Sequence, residues 1–159
     1  MKRVLFVCLG NICRSPMAEA IFNRQVLEKG LEKSFQADSC GTANYHVGDA
    51  PDPRTVRTSL KNGTPIRHTG RQFSRLDFEQ FDLILPMGSS NRSNLRALPG
   101  AEKFDEKIML MRMFDPDQSE MEVPDPYYGT EKDSQHVFEM LDRSIQHLIE
   151  VLEKESPAT

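Results

Sequence analysis

"RVLFVCLGNICRSPMAEA", residues 3–20, is the stretch on which the fold turns. Arg3 to Cys8 is a short valine-rich apolar run, the pattern of a strand buried on both faces. Met17, Ala18, Ile21, Phe22 and Val26 then recur at helical spacing. Ser15 suits the N-cap of that helix, Pro16 its first position and Gly30 its stop. Between strand and helix stand a thiol, small and polar residues, and an arginine. Two readings compete for this turn: a tight connection that happens to contain cysteines, or a cradle for an anion with a nucleophile at its base.

Strand and helix patterns continue to alternate outward from this unit. A second strand is expected over Ser34–Cys40, followed by the Gly/Pro/Asp-rich loop "GTANYHVGDAPDPR" and a helix from Pro53 to about Asn62. "FDLILPM" (Phe81–Met87) and "KIMLMRMF" (Lys107–Phe114) read as two further buried strands, with the methionines of the second as core filler. After the proline- and acid-rich loop "DPDQSEMEVPDPYYG", Val137, Phe138, Leu141, Ile145, Leu148 and Leu152 mark one face of a helix from Ser134 to about Glu153. No internal repeat or linker interrupts the pattern, so one domain over residues 1–159 is expected. The architecture implied is a three-layer α/β sandwich around a parallel sheet. Ligands of such folds bind beyond the C-terminal strand ends, often at the first strand-to-helix turn.

Composition narrows the function classes. The chain has 159 residues and a formal net charge of −4, which argues against nucleic acid or anionic membrane as a partner. No apolar run is long enough to cross a bilayer. "MKRVLFVCLG" begins as a secretory signal would, but its apolar run is too short and no small-residue cleavage site follows. Three cysteines do not make a disulfide framework, and His46, His68, His136 and His147 are too scattered for zinc spacing. A cytoplasmic setting, no cofactor or metal, and thiol chemistry at any reactive cysteine are expected.

Read as C-x5-R-S, the turn has the parts of a phosphate site. Successive N–H groups and the positive end of the following helix converge on an anion. Gly10 offers a backbone conformation that residues with side chains resist. Arg14 is placed to grip two oxygens in a bidentate fork. Cys8 then lies beneath the phosphorus, its thiol acidified by the same dipoles and by Arg14, with Ser15 as hydrogen-bond donor.

Magnitudes rank these effects. A free thiol is already a few per cent ionised at neutral pH, so full ionisation gains only tens of fold. Phosphate monoester hydrolysis calls for accelerations of up to ~10²¹, and one oxyanion donor supplies about 10²–10³. Most of the catalysis must come from the cradle and Arg14. A leaving alkoxide or phenoxide also needs a proton. "VPDPYYG" offers Asp125, held between two prolines, although the D-P pair on its own reads as a turn.

Taken in order, "VLFVCLGNICRSPMAEA", "DSCGT", "VGDAPDPR", "HTGRQF" and "DPYYG" give the chain its resemblance to the low-molecular-weight protein tyrosine phosphatases. That resemblance covers essentially the whole chain. It implies a phosphatase I-like three-layer sandwich with a four-stranded parallel sheet, and a metal-free, two-step phosphocysteine mechanism. It implies Cys8 as nucleophile, Arg14 as transition-state clamp and Asp125 as general acid and base. Leu9, Gly10, Asn11, Ile12, Cys13 and Ser15 would form the phosphate-binding loop. Asn11, Ser15, Ser39 and His68 would form a network that holds its shape. Leu9, Ile12, Tyr45, Tyr127 and Tyr128 would line a cleft for a phosphotyrosine ring, on a phosphoprotein or a small aryl phosphate. Branched Ile12 speaks against the related protein-arginine phosphatases, which typically carry threonine there.

One departure stands out. The family pattern Met-Asp-x-x-Asn reads "MGSSN" here, with Gly88 in place of the acid, Asn91 kept, and Ser89 or Ser90 as the nearest replacement hydrogen-bond partner. The missing carboxylate raises a competing reading, a phosphotyrosine-binding pseudophosphatase. An arsenate reductase relay is disfavoured because no cysteine follows Cys40. Cys13 keeps two readings: a small buried loop residue, or the thiol that captures an oxidised Cys8 as a reversible disulfide.

Overall fold

The computed structural model describes residues 1–127 and 129–155. Three parallel strands form the sheet: β1 (Lys2–Cys8), β2 (Phe35–Gly41) and β3 (Leu83–Pro86), in the order β2-β1-β3. Central β1 is paired on both edges, with Val4 opposite Ala37 on one side and Leu83 on the other. Its side chains alternate between two cores, as the two-residue period of a strand requires. Val4, Phe6 and Cys8 join the cluster built on Met17, Phe22, Leu141 and Leu148, while Leu5 and Val7 face Phe78, Ile84 and Leu95.

The first cluster is covered by α1 (Arg14–Glu28) and α5 (Glu131–Glu155), whose apolar stripes pack on each other and on the sheet. The shorter helices α2 (Pro53–Lys61), α3 (Asp77–Gln80) and α4 (Ser89–Arg96) complete the layers. Among the described residues no helix is long and apolar enough to cross a membrane. After β1 the chain crosses through α1 to β2 on one side, then returns to place β3 on the other. That reversal opens a crevice at the C-terminal end of β1, where Cys8 stands.

Two expectations are corrected here. Lys107–Phe114 is not a fourth strand: only Ile108 bridges to Ile84, with the Met109 N–H donating to the Ile84 carbonyl at 3.0 Å. Lys107 ends one 3-10 segment, Ala101–Lys107, and the second half of the run forms another, Met111–Phe114. The run's apolar letters report burial, since Leu110 and Met111 are both buried, but Arg112 is buried too and needs a partner. A 3-10 turn supplies one by bringing Asp115, three residues on, to the guanidinium at 3.2 Å. The second correction concerns the start of α1. Cys13 holds the N-cap position without a capping side-chain bond, and Ser15 lies inside the helix with its hydroxyl turned to the loop.

Candidate active site

The loop between β1 and α1 wraps around the Cys8 sulfur, which lies at the floor of a pocket with Cys8 only 3% exposed. The Asn11 N–H donates to Cys8 Sγ at 3.3 Å, and Ser15 Oγ lies 2.9 Å from it. Ser15 has one hydroxyl proton and two acceptors within reach, Cys8 Sγ and the Cys40 carbonyl at 3.3 Å. A thiolate would draw that proton to itself, because charge-assisted hydrogen bonds are the stronger ones.

Asn11 is the residue of this loop with a left-handed backbone, at φ 60°. The freedom assigned to Gly10 on sequence grounds is therefore used one residue later. Asparagine tolerates this region better than most side chains. Its side chain is fully engaged: Nδ2 donates to Ser15 Oγ at 2.9 Å and Ser39 Oγ at 3.1 Å. Oδ1 accepts from His68 Nε2 at 2.6 Å and from the Arg71 N–H at 2.9 Å. His68 Nδ1 faces Glu19 at 3.1 Å, and Ser39 Oγ donates to the same carboxylate at 2.7 Å. Gly41, opposite Cys8 in β2, lets this loop lie close, since a Cβ there would sit 2.6 Å from the Leu9 carbonyl oxygen.

Arg14 is the first residue of α1, and its guanidinium spans the pocket wall. Nη1 donates to the Val123 carbonyl at 3.2 Å, and Nη2 lies 3.7 Å from Asp125 Oδ2. Asp125 Oδ1 accepts from the Tyr127 N–H at 3.0 Å, which orients the carboxylate. The pocket, about 370 Å³, collects Cys8, Cys13, Arg14 and Asp125 with Leu9, Gly10 and Ile12 of the loop. Tyr45, His46 and Tyr127 form its rim, with Tyr45 71% exposed. Burial pushes the Cys13 thiol up to about 12, a Thr55 hydrogen bond opposing it and the charges of Asp52 and Asp125 adding to it. Cys13 is thus a neutral thiol at physiological pH.

Comparison with known proteins decides the family. Residues 3–158 match the family model of the low molecular weight phosphotyrosine protein phosphatases. The chain belongs to that family.

Relatives of that name include one from Schizosaccharomyces pombe, 49% identical over 129 residues (80% of this chain, 81% of the relative), and one from Gallus gallus, 41% identical over 151 residues (94% and 95%). A protein tyrosine phosphatase from Entamoeba histolytica, solved with Hepes in its active site, superposes with a TM-score of 0.93 at 36% identity, covering 98% of this chain and 99% of that one.

For this phosphatase family member, the structure gathers Cys8, Arg14 and Asp125 in one pocket and ties Asn11, Ser15, Ser39 and His68 together behind the loop. Tyr128 lies outside the described residues. Four residues the sequence reading passed over belong to the same neighbourhood. Glu19 holds both His68 and Ser39. His46 shares the rim and pairs with Asp49 at 3.1 Å. Arg54 reaches from α2 to the Gly129 carbonyl at 2.7 Å and to that of Tyr127, while stacking over the Tyr127 ring. Glu122 accepts from the Ser89 N–H at 2.8 Å. All four lie within quoted stretches, but nothing in the letters singled them out, because contacts spanning up to 75 residues leave no local signature.

Proposed function

We propose that the protein hydrolyses phosphotyrosine monoesters through a cysteinyl-phosphate intermediate, on phosphotyrosine-containing proteins or small aryl phosphates. The observation that carries this reading is the convergence of Cys8, Arg14 and Asp125 on one pocket with a sulfur at its floor. In the first step Cys8 Sγ attacks phosphorus and the P–O bond to the phenol breaks. Asp125 gives its proton to the departing oxygen. In the second, water attacks phosphorus, its proton passes to Asp125, the S–P bond breaks and inorganic phosphate leaves.

Arg14 and the loop N–H groups hold the equatorial oxygens through both steps, which supplies the largest share of the acceleration. A phosphoryl dianion entering the pocket competes with Asp125 for Arg14, since the two side chains lie only 3.7 Å apart. Arg14 then serves the phosphate while Asp125 faces the leaving oxygen. The network behind Asn11 keeps the left-handed residue in place before substrate arrives, so no reorganisation is needed at the moment of reaction.

Rim residues Tyr45 and Tyr127 offer aromatic faces to the substrate ring, each adding on the order of 0.5–1.5 kcal/mol beyond burial. Reliance on a reduced Cys8 suits a reducing compartment such as the cytoplasm.

The test is turnover of a phosphotyrosine peptide with chelator present. The wild-type protein should release phosphate, and Cys8→Ser should release none while still binding phosphate. Asp125→Ala should lower kcat/KM most for aryl phosphates with poor leaving groups. Tight binding without turnover by the wild-type protein would establish the pseudophosphatase instead, and an unchanged leaving-group dependence in Asp125→Ala would remove the acid assignment.

A further inference from the structure

Gly88 stands between β3 and α4, at the N-cap of α4, and its backbone gives no reason for a glycine. At φ −161° and ψ 177° it is extended, a conformation any residue adopts. The space a side chain would take is filled by Glu122: a Cβ on Gly88 would lie 1.8 Å from Glu122 Oε2 and 2.9 Å from Glu122 Cδ, so the carboxylate would have to move aside. Glu122 comes from the loop that carries Asp125. Its Oε1 accepts the Ser89 N–H at 2.8 Å, so it caps α4 from outside the helix. α4 has no capping bond from its own N-cap residue, which is this glycine.

The neighbouring backbone makes the same connection at a second point. The Val123 N–H donates to the Met87 carbonyl at 2.8 Å, and the Val123 carbonyl accepts from Arg14 Nη1 at 3.2 Å. The Glu122 carbonyl is held by Arg112 Nη1 at 3.1 Å. Residues 122 and 123 therefore clasp the β3–α4 corner on one side and Arg14 on the other, three and two residues before Asp125. The Glu122 carboxyl is held below its usual range first by the Ser89 N–H, with burial opposing and the Ser89 hydroxyl and the charges of Arg14 and Arg92 adding to the effect.

We infer that Glu122 is a positioning residue that supplies from the loop the carboxylate position 88 lacks, fixing the Asp125 loop and Arg14 against the N-terminus of α4. The Ser89 backbone N–H is the group Glu122 grips, with the Ser89 hydroxyl adding to the hold. Positions 88 and 122 thus compete for one carboxylate site, since a side chain at 88 would displace the Glu122 carboxylate from the Ser89 N–H.

The inference rests on the phosphatase reading. Wild-type turnover tests that reading, whereas the inference is tested by differences among active variants. The experiment measures kcat/KM for a series of aryl phosphates of rising leaving-group pKa, with melting temperature and circular dichroism alongside. Glu122→Ala should lose about tenfold on the poorest leaving groups and little on the best, a smaller loss than removing an oxyanion donor. Glu122→Gln, which keeps an acceptor for the Ser89 N–H, should recover most of it. Gly88→Asp should be impaired by collision with Glu122. The pair Gly88→Asp with Glu122→Ala should be more active than either single variant. A uniform loss across all leaving groups, or a double variant that shows the product of the two single losses, would overturn the inference.

Discussion

Asn11 joins more of the site than any of its letters suggest. Its backbone makes the left-handed turn, its N–H points at Cys8 Sγ, and its amide links Ser15, Ser39, His68 and the Arg71 backbone. Asn11→Ala would leave the Arg71 N–H and Ser39 partly unpaired and put an alanine in a region it resists, a combined cost of about 2–4 kcal/mol. The expected outcome is a fall in kcat/KM of at least about tenfold with weakened competition by inorganic phosphate, because the cradle loses its preset shape. Steady-state kinetics with phosphate as competitor checks this; unchanged phosphate affinity would speak against a role in loop shape. At this scale the sequence was readable where chemistry sits in the residue type. A thiol, an arginine and a carboxylate announced themselves through C-x5-R-S and D-P-Y-Y-G. The residue that bends the loop did not, because a glycine stood beside it and offered the simpler explanation.

Elements followed their hydrophobic periods closely where a single period holds. β1, α1 and α5 lie where the apolar spacing puts them, with ends shifted by a few residues. The spacing fails at Lys107–Phe114, where burial on several sides mimics a strand while Arg112 dictates a turn. That arginine anchors the following loop: Nη1 holds the Glu122 carbonyl, Nη2 holds the Asp117 carbonyl at 3.1 Å, and Asp115 accepts from both Arg112 and Arg143. Burial alone would raise the Asp115 carboxyl, but its hydrogen bonds to Arg143 and the Asp117 N–H hold it below the usual range. Asp115→Ala would take from buried Arg112 its nearer carboxylate and leave only exposed Asp117 at 3.9 Å, a loss of about 3–5 kcal/mol. Chemical denaturation should report that loss, and a stability change within error of zero would show that the loop is held by other contacts. α4 and its external cap were not legible at all, since "SSNRSNLR" carries little apolar stripe and Glu122 lies 33 residues away.

At the scale of the whole molecule, the β2-β1-β3 order turns a buried central strand into the support of a reactive thiol. Both faces of β1 are sealed by core, so Cys8 meets solvent only through the crevice at the strand's end. The same burial makes the fold sensitive to alkali. Cys13 is raised from 9.0 to about 12 chiefly by burial, and Cys40, fully buried, is raised for the same first reason. A thiol with a raised folded pKa contributes stability that is whole below the unfolded value and is lost as pH rises toward the folded one. Melting temperature should therefore decline from about pH 9 upward, and Cys13→Ala should flatten part of that decline; parallel curves for the two proteins would contradict the burial of that thiol.

The central claim is that phosphate passes through the Cys8 sulfur, and rapid acid or denaturant quench during turnover of an aryl phosphate tests it most directly. Mass spectrometry of the quenched peptides should find one added phosphoryl group on Cys8, accumulating to a larger fraction in Asp125→Ala when a good leaving group is used. Phosphate release with no label on Cys8, or label carried by another residue while turnover persists in Cys8→Ser, would contradict the mechanism.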